Sequence, residues 1–168
     1  MREGAFPGQV DPVDDGGLAK ARAQRIEACA CVSSPALAAR QTAEALGMAA
    51  VTDIALRDID HGEWAGRAFG DIHLASPDAF AGWMADPASG APGGETLVTV
   101  RDRMAGWLSD RISQGETMLA ITHPMVIRAA IAAAIHIAPE ATLRIDIAPL
   151  CAVRLSWNRV WRLQSITA

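Results

Sequence analysis

The sequence predicts an α/β layer fold with a mainly parallel sheet, built as one domain over residues 1–168. Three observations carry this. Apolar runs of strand length occur at Ala28–Val32, Val51–Leu56 and Met118–Ile121. The first and third lead directly into segments with helical character, the alternation that marks a parallel sheet covered by helices. The chain is 51% hydrophobic and 20% charged over 168 residues, which suits one buried core and is the reverse of a disordered composition.

The elements follow in order. Residues 1–16 are turn-rich, with Gly4, Pro7, Gly8, Pro12, Asp14, Asp15 and Gly16. Residues 17–27 read as a short helix, and Ala28–Val32 as a buried strand. Ser33-Ser34-Pro35 offers an N-cap followed by Pro at a first helical position, and the helix should run to Leu46 with Gly47 ending it. Val51–Leu56 is a second strand. The polar segment Arg57–Gly70 precedes a helix around Asp71–Met84, and Asp86–Gly94 is a loop. Leu97, Val100, Met104, Trp107 and Leu108 fall on one face of a long amphipathic helix. Met118–Ile121 is the third strand, with a helix over 125–137 after Thr122-His123-Pro124. Leu150–Leu155 and Val160–Ile166 read as a strand pair across Asn158-Arg159, adding an antiparallel part to the sheet.

Charge and composition exclude several classes. A net charge of -4 argues against a nucleic-acid or anionic-membrane partner. The most apolar stretch, Ile127–Ala138, is interrupted by Arg128 and His136 and is too short to span a bilayer, so it reads as a buried helix. No signal peptide is visible at the start of the sequence. Cys29, Cys31 and Cys151 match no zinc or redox spacing and read as buried free thiols, pointing to a reducing, cytoplasmic setting. Fourteen of the 15 basic residues are Arg, with Lys20 the exception. Arg holds phosphate in a planar fork, although an Ala- and Arg-rich genome would give the same count.

The candidate chemistry lies at the strand ends. Ser33-Ser34-Pro35 and Thr122-His123-Pro124 should both sit at carboxyl ends of strands, where open α/β sheets bind ligands, and each presents a helix N-terminus. His123 there reads either as an anion-holding or proton-transferring residue or as a structural cap. Asp58, Asp60, His61 and Glu63 crowd the segment after the second strand, as a proton-donating acid would or as a solvated loop would. His73 and His136 sit in helical patterns and read as structural. Gly94-Glu95-Thr96 fails as a nucleotide-binding loop, because Glu95 stands where a phosphate-binding Lys is needed.

Taken together, four blocks resemble the histidine phosphatase, or phosphoglycerate mutase-like, superfamily. They are Ser33-Ser34-Pro35 with Arg40-Gln41-Thr42-Ala43-Glu44, Leu56–Gly66, Pro92–Thr96 and Thr122-His123-Pro124, in the family's order across nearly the whole chain. The resemblance implies a three-layer α/β/α sandwich and phosphomonoester hydrolysis through a phosphohistidine, with no metal or other cofactor. It implies Asp58 as the acid serving the leaving group and His123 as the second pocket histidine. Ser33 and Ser34 join His123 as phosphate-binding residues, and the ligand is phosphate or a phosphorylated small molecule.

The departures shape the functional expectation. No Arg-His-Gly occurs in the sequence, so the family's first strand and its nucleophile are expected to be missing. Ala38 stands where the family carries its second phosphate-binding arginine. Arg40, two residues on, points about 200° away on a helix. Asp58 stands where Glu is usual. Loss of one preorganised charge contact costs roughly 10²–10³ in rate, so little or no family activity is expected of this chain. The readings are a family enzyme whose reading frame begins upstream of Met1, a non-catalytic phospho-ligand-binding or interaction module, and an inert decayed relative. Without a first strand, its neighbours should keep unpaired edges, giving a contracted sheet, a homo-oligomer covering the edge, or an N-terminal segment in the vacant slot.

Overall fold

The computed structural model describes residues 4–167 except Gln9, Ala28 and Gln114. Helix α1 spans Asp15–Ala23, where residues 17–27 were expected. The Asp14 side chain accepts the Gly17 N–H and starts the helix early, and Gln24 turns extended and stops it. Strand β1 spans Ala30–Ser33, and helix α2 spans Leu37–Ala45. Pro35 is therefore not helical. The Ser34 N–H is held by the Ile121 carbonyl at 2.8 Å, which prolongs the strand geometry and delays the helix to Leu37.

Strand β2 is only Val51–Thr52, because Asp53 caps a 3₁₀ turn over Ile54–Leu56 where a longer strand was expected. The single helix expected around Asp71–Met84 is two, α3 over Phe69–Ala75 and α4 over Pro77–Ala85, parted at Ser76-Pro77. Helix α5 spans Leu97–Ile112 with Thr96 as N-cap. Strand β3 is Met118–Ile121, as expected. Helix α6 spans Pro124–Ile135 and ends on a left-handed His136. Strands β4, Ala152–Asn158, and β5, Val160–Thr167, form the terminal hairpin.

The sheet has strand order β2-β1-β3, all parallel, with Val32 opposite Val51 and Ala120, and Ser33 opposite Thr52 and Ile121. Its two faces carry separate cores. Cys31 and Ile121 pack with Ala39 and Ala43 of α2 on one side. Val32 and Ala120 face Leu97, Val100 and Met104 of α5 and Val126 and Ala129 of α6 on the other. The alternation along each strand thus produces the helix–sheet–helix layering.

The hairpin does not add to this sheet, contrary to expectation. β4 and β5 pair only with each other, as a separate antiparallel sheet. Among the described residues the outer edges of β3 and β4 have no ladder partner. A cavity of about 100 Å³ touches both, lined by Ala120 and Thr122 on one side and Val153 and Leu155 on the other. The described residues of the N-terminal segment do not enter it. Ala5 bridges Ala68, and Phe6 lies buried against Trp64, Phe69 and Trp83 in an aromatic core beneath α3 and α4.

Leu97 is fully buried and Leu74 is 83% exposed. Leu97→Ala is expected to lose about 2–5 kcal/mol of unfolding free energy in a urea titration, and Leu74→Ala to stay within about 0.5 kcal/mol.

Candidate functional site

The β1–β3 register sets two strand ends side by side. Ser34 follows β1 and His123 follows β3, so the hydroxyl of one meets the ring of the other. Ser34 Oγ lies 2.8 Å from His123 Nε2. His123 occupies the N-cap position of α6 but makes no side-chain cap bond, which leaves its ring free to turn toward Ser34. On its other side, His123 Nδ1 lies 3.3 Å from Asp58 Oδ2. Asp58 Oδ1 accepts the Ile59 N–H at 2.8 Å, so both carboxylate oxygens have partners.

The hydrogen-bond directions follow from the chemistry of each neighbour. Asp58 lies on the Nδ1 side, so a ring proton there faces the carboxylate, and in that tautomer Nε2 accepts from the Ser34 hydroxyl. Burial pushes the His123 pKa below its ordinary value of 6.5, with Asp58 pulling it up and Arg103 pushing it down. His61 is likewise lowered by burial, against the pull of Asp58 and Asp60.

Asp58 is held in place by its backbone. Arg103 Nη1, from α5, donates to the carbonyls of Ala55 at 2.7 Å and Arg57 at 2.8 Å, and Nη2 reaches the Asp58 carbonyl at 3.5 Å. Nη2 also pairs with Glu95 Oε2 at 3.1 Å, and Arg57 donates to Glu95 Oε1 at 2.7 Å. Thr122 Oγ1 donates to the Leu56 carbonyl at 2.7 Å, joining the β3 end to the same turn. The Gly62 and Gly94 backbones come so close that a Cβ at Gly62 would strike the Pro92 carbonyl and one at Gly94 the Asp60 carbonyl. The two sequence blocks around them are one interlocked unit.

The structure thus brings Ser34, Asp58 and His123 together. Ser33 sits on β1 with its hydroxyl turned back to the Ser34 carbonyl at 2.9 Å. Ala38 lies in the first turn of α2, and Arg40 projects from the exposed flank. Glu63 is exposed. His73 is exposed and meets the Phe80 ring edge-on at 5.9 Å, and His136 is exposed at the α6 terminus. Cys29, Cys31 and Cys151 are free, but of the three expected to be buried only Cys31 is, and burial raises its thiol, while Cys29 and Cys151 are half-buried. Sequence reasoning missed the clamp by Arg103. The signal for it was an Arg facing the apolar stripe side of α5, eight residues after Glu95.

The family profile described as the histidine phosphatase superfamily, branch 1, matches residues 14–166. The chain belongs to that superfamily. Phosphoserine phosphatase 1 of Hydrogenobacter thermophilus is 28% identical over 96 residues, covering 55% of this chain and 46% of that protein, so the match spans less than half of the relative's length. Among solved structures, a mycobacterial glucosyl-3-phosphoglycerate phosphatase complexed with VO3 aligns at TM-score 0.82 and 22% identity, over 98% of this chain and 91% of that one. The alpha-ribazole phosphatase of Shigella flexneri aligns at TM-score 0.85 and 18% identity, over 99% and 89%. These structural likenesses establish a shared fold, the α/β/α sandwich of the family. Among the described residues no helix is long and apolar enough to cross a membrane.

The lowered histidine values fix a pH dependence. The unfolded chain takes up protons first as pH falls, so stability is full above about 6.5 and declines below it. The melting temperature is expected to drop between pH 7.5 and 5, with a shallower drop in His123→Gln. An identical decline in that variant would contradict a buried neutral His123.

Proposed function

We propose that Ser34, Asp58 and His123, with Ser33 behind them, form a phosphate pocket for a phosphorylated small molecule. We further propose that this chain hydrolyses phosphomonoesters slowly or not at all. The observation that carries this is Ala38. The pocket has its histidine and its carboxylate, while the first turn of α2 offers a methyl group where the family places a guanidinium.

The chemistry follows from charge. An arriving phosphate dianion raises the pKa of a nearby histidine, so His123 takes a proton and donates it to a phosphoryl oxygen from Nε2. Ser34, released as a donor to the ring, can turn its hydroxyl to the same group. Asp58 steadies the imidazolium through Nδ1 or, when protonated, gives its proton to the leaving oxygen. The N-termini of α2 and α6 add partial positive charge on the same side. With Ala38 in its first turn, α2 supplies no second cation there, and phosphoryl transfer depends on neutralising the equatorial oxygens. No Arg-His-Gly lies within the 168 residues to supply an attacking histidine.

The names of the relatives support a small phosphorylated ligand, since they refer to phosphoserine, glucosyl-3-phosphoglycerate and alpha-ribazole phosphatases. A non-catalytic phospho-ligand-binding or interaction module is the second reading, and Ala38 favours it, because an internal substitution weakens catalysis wherever the reading frame begins. A cytoplasmic setting and a homo-oligomer remain part of this proposal.

Restoring the cation tests it. Ala38→Arg is expected to tighten binding of inorganic phosphate by about tenfold or more in calorimetry, the worth of one charge-assisted hydrogen bond. His123→Ala should abolish binding in both backgrounds. Equal affinity in Ala38→Arg and the parent chain, or binding that survives His123→Ala, would overturn the assignment.

A further inference from the structure

Beside the candidate phosphate pocket lies a second cavity of about 310 Å³, lined by Ile59, His61, Trp83, Met125, Arg128 and Leu143 together with the Pro87 turn. Its walls are chain neighbours of the two chemical residues. Ile59 and His61 follow Asp58, and Met125 and Arg128 follow His123 on the first turns of α6. These chain links place the cavity close to a phosphoryl group held by Ser34 and His123 Nε2, within reach of its substituent.

The lining is chemically distinctive. Trp83, whose ring also packs in the aromatic core, brings an indole to the wall, and Met125 a polarizable sulfur suited to ring edges. Ile59 and Leu143 are aliphatic. Arg128 stands at the wall as a fixed plane. Its Nη2 donates to the Ile145 carbonyl at 2.9 Å and its Nε to the same oxygen at 3.3 Å, while Nη1 lies 3.9 Å from Met125 Sδ. A guanidinium tied in this way is spent mostly on backbone, and it presents a cationic face to a ring. Besides Arg128, the polar side-chain groups among the lining residues are the His61 ring and the Trp83 indole N–H. A sugar or other polyol would bring several hydroxyls here and leave most of them unpartnered, which costs more than any apolar contact would return.

We propose that this cavity selects phosphomonoesters of an aromatic alcohol over those of a polyol. The proposal rests on the phosphate pocket at Ser34, Asp58 and His123, and it adds the class of the organic portion. Trp83 and Arg128 enclose the ring, and Met125 and Leu143 close its edge.

Two non-hydrolysable phosphonates, with inorganic phosphate and glucose 6-phosphate beside them, test the two levels separately. Calorimetry on the full chain would compare inorganic phosphate, methylphosphonate, phenylphosphonate and glucose 6-phosphate, with tryptophan fluorescence as a second readout. Phenylphosphonate is expected to bind at least about tenfold tighter than methylphosphonate, because it buries a ring, and also tighter than glucose 6-phosphate. Met125→Gln, which keeps the size of the side chain, should reduce that preference several-fold and leave methylphosphonate affinity unchanged. Trp83→Leu should do the same and remove the fluorescence response. Equal affinity for phenyl- and methylphosphonate, or a preference for glucose 6-phosphate, would overturn the inference while leaving the phosphate pocket standing. Failure of phosphate and both phosphonates to bind would overturn the pocket itself, and this inference with it.

Discussion

Everything at the site depends on the register between β1 and β3. With Ser33 opposite Ile121, the chain after each strand emerges at the same level, and Ser34 is pinned there by its N–H to the Ile121 carbonyl. A slip of one residue would turn every side chain to the other face of the sheet. It would bury His123 against a helix and separate it from Ser34. The register is secured by the two cores, because Cys31 and Ile121 must face α2 while Val32 and Ala120 face α5 and α6. Packing of ordinary apolar residues thus places a polar contact of 2.8 Å.

The third member, Asp58, reaches the cleft by a different route. It lies on irregular backbone, and irregular backbone needs partners for its carbonyls. Arg103 supplies them from α5, and Glu95 balances the charge of Arg103 and Arg57. A planar guanidinium with five donors suits this work, where an ammonium would not span three carbonyls. The Arg-rich composition, considered first as a phosphate signature, is here partly structural: Arg103 and Arg128 bond mainly to backbone carbonyls.

Local elements were legible in the sequence where local physics decides them. Met118–Ile121 is a strand because it is a bounded apolar run, and α5 begins at Thr96 because its side chain caps the Thr99 N–H. Val51–Leu56 was too long as a strand because Asp53 accepts the Ala55 N–H and curls the chain. The one helix expected around Asp71–Met84 is divided at Pro77, which has no N–H to continue the first helix. The separation of the β4–β5 hairpin from the three-stranded sheet was not legible from those strands themselves, since it depends on what lies between β3 and β4. At the site, His123 and Asp58 were visible as chemistry-bearing residues at strand ends. The Ser34–His123 contact and the Arg103 clamp join residues 89 and up to 48 positions apart, and no spacing rule reports such pairs.

The molecule is a histidine phosphatase-family sandwich that holds His123 between a carboxylate and a hydroxyl, and in the proposed function Ala38 stands at the position of a pocket arginine. The proposed phosphate site turns on His123 Nε2. A long-range ¹H–¹⁵N spectrum of the histidine rings during titration with inorganic phosphate at neutral pH tests it. The free state is expected to carry the His123 proton on Nδ1, and Nε2 to shift toward the protonated position as phosphate is added. A His123 ring that starts with its proton on Nε2, or that does not respond to saturating phosphate, would contradict it.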